Sequence, residues 1–234
     1  VRGWLPHFSI LHEVRRAYDA NGETDRELEE EVDRAINDLE EDLYSSVETK
    51  AVPLLAALRD RDESILIDDD QCLDFAWFIA MQYLRTPRIM QGAIAIREIP
   101  GFNADAAWGL LRTILATTLG WSVYEQRRTM RVTFLEAPDG VDFVTGDQPV
   151  VNARGVGATG NEPPTELEFY YPLTPNRALL LGFNLDSCSS ECRTLTREAC
   201  ERYNQMIAVM ADEQIYARSE ETLLTLGCVQ PPKT

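Results

Sequence analysis

Apolar residues recur at helical spacing through the first half of the chain, then alternate or run together through the second. From Leu28 the sequence sets Val32, Ala35/Ile36, Leu39 and Leu43 on one stripe, with acids filling the other faces, as a surface helix requires. Thr24 with Glu27 three residues on is a capping box that would start this helix. Val47, Ala51, Leu54, Leu55 and Leu58 continue the stripe, and Pro53 marks a kink or a new start because it lacks a backbone donor. Asp68-Asp69-Asp70 can cap the next helix at its positive end. From Leu73 to Leu84 that helix is apolar nearly all round, which predicts enclosure by other elements. It should end near Thr86, which Pro87 pushes out of helical geometry. Further helices are expected from Ile89 and, after an Asn103 cap, through Trp108, Leu111 and Leu115 to about Leu119.

Beyond Gly120 residues 121–125 and 130–136 read as strands, followed by a strong turn at Ala137-Pro138-Asp139-Gly140. Residues 141–151 then alternate, Val141, Phe143 and Thr145 on one face and Asp142 and Val144 on the other, as a half-buried strand would. Gly146 permits a sharp change of direction and leaves Asp147 at the strand end, and Pro149 interrupts the ladder before Val150-Val151. Residues 152–164, rich in Gly, Asn and Pro, read as a loop. Residues 166–172 and Arg177–Gly182 are two more strands, and residues 196–211 form an amphipathic helix presenting Ala199, Tyr203, Ile207 and Met210. The first 21 residues, with His7 and His12 beside Trp4 and Phe8, read as a short apolar segment docking on the body before a turn at Asn21-Gly22. Helices first, then strands, then a helix is an α+β order. One domain, 1–234, is expected: a mainly helical part over 1–120 packed on a mostly antiparallel sheet over 121–185, with a C-terminal helix over 194–216.

With 44% hydrophobic residues among 234, the chain can bury a full core without metals or disulfides. A formal charge of -17 repels phosphate backbones in bulk, so non-specific nucleic-acid binding is disfavoured. The cysteines, Cys72, Cys188, Cys192, Cys200 and Cys228, are odd in number and unevenly placed, which fits a reducing cytoplasm better than a disulfide framework. Cys188, Cys192 and Cys200 lack the second tight pair and the nearby histidine of a zinc site. No apolar run has the length of a membrane span, no signal peptide is read, and Val1 in place of Met fits a trimmed start. No Gly-rich strand-to-helix junction of nucleotide-binding type occurs. The basic cluster Arg127-Arg128-x-x-Arg131 reads as a hairpin turn, or as a phosphate contact.

Glu48, Arg85 and Asp147 are the candidate site residues. Glu48 and Asp147 could ligate a divalent metal, with the cofactor otherwise open, or do acid–base work, while Arg85 clamps an anionic group bidentately. The alternative is structural: Arg85 pairs with Glu48 or Asp147 and locks the helical part to the sheet, and Asp147 caps a turn by accepting from backbone amides. The cleft is expected where the Arg85-Thr86-Pro87 helix end meets the Asp147 turn. Thr145 either adds a hydroxyl to it or merely sits in the strand, and Tyr170, Tyr171 and Asn176 either line it or serve as ordinary strand and strand-end residues. The leading functional expectation is a cleft for a small anionic or metal-bound ligand. Its rivals are a metal-dependent hydrolase of phosphodiesters, as a nuclease would be, and a protein-interaction module using the acidic first helix against a basic partner.

Four stretches, Ser46-Val47-Glu48-Thr49-Lys50-Ala51, Gln82-Tyr83-Leu84-Arg85-Thr86-Pro87, Phe143-Val144-Thr145-Gly146-Asp147-Gln148-Pro149-Val150 and Tyr171-Pro172-Leu173-Thr174-Pro175, carry a resemblance. In order and spacing they look like a bacterial family known only as domain of unknown function number 4238, across roughly residues 25–220. Members of that family usually open with a His-Tyr-x-Pro type segment, to which only Leu5-Pro6-His7 is remotely similar here. The resemblance implies a bacterial origin and a shared fold, and no chemistry.

Overall fold

A computed structural model describes residues 26–85, 108–156, 167–183 and 188–227. The first segment with both histidines, the Thr24 cap, the helix from Ile89, the Asn103 cap and most of the 152–164 loop lie outside the described residues. The long helix α1, Arg26–Arg59, continues unbroken through Pro53. The proline leaves the Thr49 carbonyl without its usual helical donor, and Thr49 is exposed, so water can take that place. After α1 the chain turns at Arg61, a non-glycine residue with φ of 63°, where Asp62 N–H donates back to the Ala57 carbonyl at 2.9 Å.

A single turn, α2 (Ser64–Ile67), leads into α3 (Asp69–Tyr83), whose N-cap Asp68 accepts from the Gln71 amide at 2.9 Å. Every residue from Phe75 to Gln82 is buried, as expected of a helix apolar all round. Helix α4, Trp108–Glu125, includes residues 121–125, so the strand expected there is corrected to helix. Gly120 misleads because its role is proximity. A Cβ at Gly120 would stand 3.0 Å from the Trp77 Cα and 3.3 Å from the Ala76 carbonyl, so the glycine marks where α3 and α4 cross. Arg127 and Arg128 lie in a 3-10 turn, Gln126–Thr129, not a hairpin; Arg127 stacks on Tyr124 at 3.9 Å and pairs with Asp69 at 2.9 Å.

The strands are β1 (Arg131–Glu136), β2 (Thr145–Gly146), β3 (Val151–Asn152), β4 (Glu168–Thr174), β5 (Arg177–Gly182), β6 (Ser189–Thr194) and β7 (Ile215–Tyr216). Helix α5, Arg197–Met210, follows β6, capped by the Thr196 hydroxyl, and α6 is Glu220–Thr225. The main sheet has the order β3-β4-β5-β1-β6, antiparallel except where β6 runs parallel to β1, and β2 pairs with β7 alone. The α+β class holds. Strand β6 was not foreseen, since all six of its residues are exposed and its sequence carries no apolar alternation.

The expected strand over residues 141–151 reduces to the two-residue β2 and the start of β3. Ahead of β2 the backbone is held by other groups: Phe143 N–H donates to the Pro175 carbonyl at 2.6 Å and Val144 N–H to the Asn204 amide oxygen at 3.0 Å. Asn204 returns its NH2 to the Asp142 carbonyl at 2.8 Å, replacing a strand partner with a side chain from α5. Gly146 does not sit in the left-handed region. A Cβ there would lie 2.8 Å from the Gln214 carbonyl, so close approach, not the turn, demands the glycine.

The sheet is buried on both faces, which explains the unbroken apolar run of β5. Phe134, Phe169, Leu179 and Leu181 join one core with α1, α3 and α4; Leu135, Tyr170, Ala178 and Leu180 join a second with Cys200 and Ile207 of α5. Glu136 ties the helical layer to the sheet. Its carboxylate accepts from Arg61 at 2.7 Å and Arg177 at 2.8 Å, and Arg177 also donates to the Arg59 carbonyl at the end of α1.

Candidate functional site

Glu48 projects from the middle of α1, and Arg85 follows directly after the C-terminal end of α3. The two helices bring them together: Arg85 Nη1 lies 3.4 Å from Glu48 Oε1 and 3.3 Å from the Gln82 side-chain oxygen. Both partners are half-exposed, Arg85 at 51% and Glu48 at 46%, so this pair is not a buried lock. Around them opens a groove of about 710 Å3, lined by Glu41, Tyr44, Ser45 and Thr49 of α1 together with Glu48, Val52, Arg85 and Arg112. Arg112, from α4, donates to the Arg85 carbonyl at 3.2 Å and lies 5.0 Å from the centre of the Tyr44 ring. Two cations at the C-terminal end of α3 also offset the negative end of that helix.

Asp147 is turned elsewhere. Its carboxylate accepts from the amides of Asp212 at 2.9 Å, Glu213 at 2.6 Å and Gln214 at 3.1 Å, in the loop after α5. Partial burial opposes its charge, but the amides of Glu213, Asp212, Gln214 and Gln148 more than offset that and hold the carboxyl below its usual range. Asp147 is not among the groove's lining residues.

The end of α3 meets the Asp147 turn through the next residue. Gln148 is fully buried, and its NH2 donates to the carbonyls of Val150 at 2.6 Å, Tyr83 at 2.8 Å and Gln82 at 3.4 Å. It thereby serves two of the carbonyls that the end of a helix leaves without internal donors. A polar chain therefore runs from the 212–214 loop through Asp147 and Gln148 to the end of α3, and from there to Arg85 and Glu48.

Of the other residues assigned to the cleft, Tyr171 is near Glu48. Burial, and then the Glu48 charge, push its phenol up to about 12. Tyr170 is buried on the opposite face, stacked on Tyr203 with ring centres 4.5 Å apart, and Asn176 sits in the β4–β5 turn accepting from Thr174. Thr145 pairs in β2 with Tyr216. The sequence reading missed Tyr44, Arg112 and Gln148. Tyr44 falls outside the apolar stripe and Arg112 is an isolated cation on a helix, so neither carries a signal, whereas the position of Gln148 before Pro149 and two buried valines was a usable one. Cys188 and Cys192 are free and exposed, Cys72 and Cys200 free and buried, and among the described residues no three His, Cys, Asp or Glu side chains are grouped to hold a metal.

No curated protein and no solved structure matches the chain. A family model matches residues 110–221, from the first turn of α4 to the start of α6. That span includes the whole main sheet, Asp147, Gln148 and Asn204, and leaves Glu48 and Arg85 outside it. The family matched over residues 110–221 is described as Protein of unknown function (DUF4238).

Proposed function

We propose that the groove between α1 and the end of α3 binds a small ligand through an anionic group, a carboxylate or a phosphate, seated on Arg85. The observation that carries this reading is the state of the guanidinium. Both of its contacts use Nη1, so the Nε–Nη2 edge, which receives carboxylate or phosphate oxygens side by side, is bonded to nothing among the described residues of a half-exposed side chain. A volume of about 710 Å3 is of the size that takes a metabolite. Glu41 and Glu48, with the hydroxyls of Ser45 and Thr49, suit a ligand that also carries a donor such as an amine or a hydroxyl.

The metal-dependent hydrolase is the weaker reading, because the second carboxylate it requires, Asp147, is already satisfied by three backbone amides. Four free cysteines among the described residues, two of them exposed, fit a reducing, cytoplasmic setting for such a binding protein. Calorimetric titration with phenyl phosphate and with acetate tests the proposal. Saturable binding of either should weaken at least about tenfold in Arg85→Ala, and less in Arg85→Lys, which keeps the charge without the fork. Absence of binding by both anions, or equal affinity in Arg85→Ala, would overturn it.

A further inference from the structure

Strand β6 ends the main sheet, and all six of its residues, Ser189 to Thr194, are exposed. Ser189 N–H donates to the Met130 carbonyl and Leu195 N–H to the Glu136 carbonyl, so the odd-numbered residues turn their backbone groups toward β1. By the alternation of a strand, the N–H and C=O groups of Ser190, Cys192 and Thr194 point outward along an edge that no other strand among the described residues pairs with. Natural sheets usually blunt such an edge with charged side chains, proline, a bulge or a cover. This one carries a single acid and a single base, Glu191 and Arg193, placed symmetrically about Cys192. Within the strand they pair with each other at 2.7 Å, and Glu191 also accepts from the Thr133 hydroxyl at 3.1 Å, so both charges stand where a second strand could exchange them.

We propose that β6 pairs with β6 of a second copy of this chain, antiparallel about a two-fold axis through Cys192, joining two five-stranded sheets into one. In that register Cys192 faces Cys192 of the second copy, and Ser190 faces Thr194, all at positions whose donors and acceptors point outward. Glu191 falls opposite Arg193 of the second copy and Arg193 opposite its Glu191, at the closer, non-hydrogen-bonded positions where opposite charges stabilise a pair. Shifting the register by one residue in either direction would set inward-pointing backbone groups against outward-pointing ones. The helical side of the edge supplies apolar surface as well. Glu63 accepts the Ser190 hydroxyl, and Ile67, one turn further along, is 82% exposed. The chain's net charge of -17 opposes association at long range, so pairing should tighten as salt rises from about 10 mM to physiological strength.

Sedimentation across a concentration series tests the proposal, with circular dichroism confirming that each variant folds. The expected wild-type mass at high concentration is twice the 26.5 kDa of the chain. Cys192→Pro removes an outward backbone donor and, toward β1, only the thiol contact to Glu136 at 3.9 Å, with no ladder bond lost, and should give a monomer. Glu191→Arg alone should weaken association at least tenfold, and adding Arg193→Glu should restore it. In a Cys188→Ser, Cys228→Ser background, diamide should link Cys192 to its counterpart by taking two electrons and two protons from the paired thiols, whose Cα atoms would lie about 5.5 Å apart. A wild type that stays monomeric, a dimer untouched by either Cys192→Pro or the charge changes, or a doubled mass without the Cys192 link would each overturn it.

Discussion

Arg85 and Gln148 lie on either side of the end of α3 and differ in how deeply they are buried. Arg85 is half-exposed and reaches Glu48 only at 3.4 Å, a pair of the kind that contributes about 0–1 kcal/mol. Gln148 is fully buried and donates to three carbonyls. Removing it strands those acceptors, at a cost of about 1–3 kcal/mol. Urea denaturation should therefore show Arg85→Ala within about 1 kcal/mol of wild type and Gln148→Ala clearly destabilised. The opposite ranking would make Arg85 the structural tie and remove the reason to regard it as open to a ligand. Asp147 accepts from backbone amides as its capping alternative requires, but apart from the Gln148 amide in its own turn these belong to the distant 212–214 loop.

The elements legible in the sequence are those whose pattern reports burial. Helix α3 is apolar all round because it is enclosed, β5 is a continuous apolar run because both sheet faces are covered, and α5 is striped because one side faces the second core. The misreadings share a cause, since tertiary proximity decided what local pattern could not. Gly120 and Gly146 both look like chain-turning glycines, yet each makes room for a neighbouring backbone. Strand β6 is exposed on every residue and so leaves no pattern, and Asn204 supplies from α5 the bonds that a longer β2 strand would have made. Glu48 and Arg85 were legible as chemistry, but their meeting across α1 and α3 depends on the helix crossing, which no spacing encodes. The neighbouring crossing, of α3 with α4, is testable. Gly120→Ala forces a Cβ to within 3.0 Å of the Trp77 backbone, which cannot swing aside as a side chain could, and should cost about 1–3 kcal/mol of thermal stability. Unchanged stability would mean that α3 and α4 do not pack this closely.

Across the whole molecule, two carboxylates fasten its parts, Glu136 joining α1 to the sheet and Asp147 joining β2 to the loop beyond α5. Burial opposes the charge on each. For Glu136, hydrogen bonds from Arg177 and Arg61 prevail, as the amides do for Asp147, so both folded values lie below the usual 4.5 and 3.8. A depressed folded value stabilises at pH above the unfolded value and is lost as pH falls through the folded one. Stability should therefore be steady above about pH 5 and decline progressively below 4.5, and Asp147→Asn should flatten the lower part of that decline. An acid profile identical in the variant would show that the amide cap does not form. These fasteners hold the sheet and helices in the positions that open the groove, and the central claim is that Arg85 waits there with its Nε–Nη2 edge bonded to none of the described residues. The most direct measurement follows the side-chain Nε–H signals of the arginines by nitrogen-15 NMR during titration with phenyl phosphate. The account predicts a saturating shift at the Arg85 signal, assigned by its loss in Arg85→Lys, with exposed Arg218 little changed. No shift at Arg85, or equal drift of all exposed arginines, would contradict it.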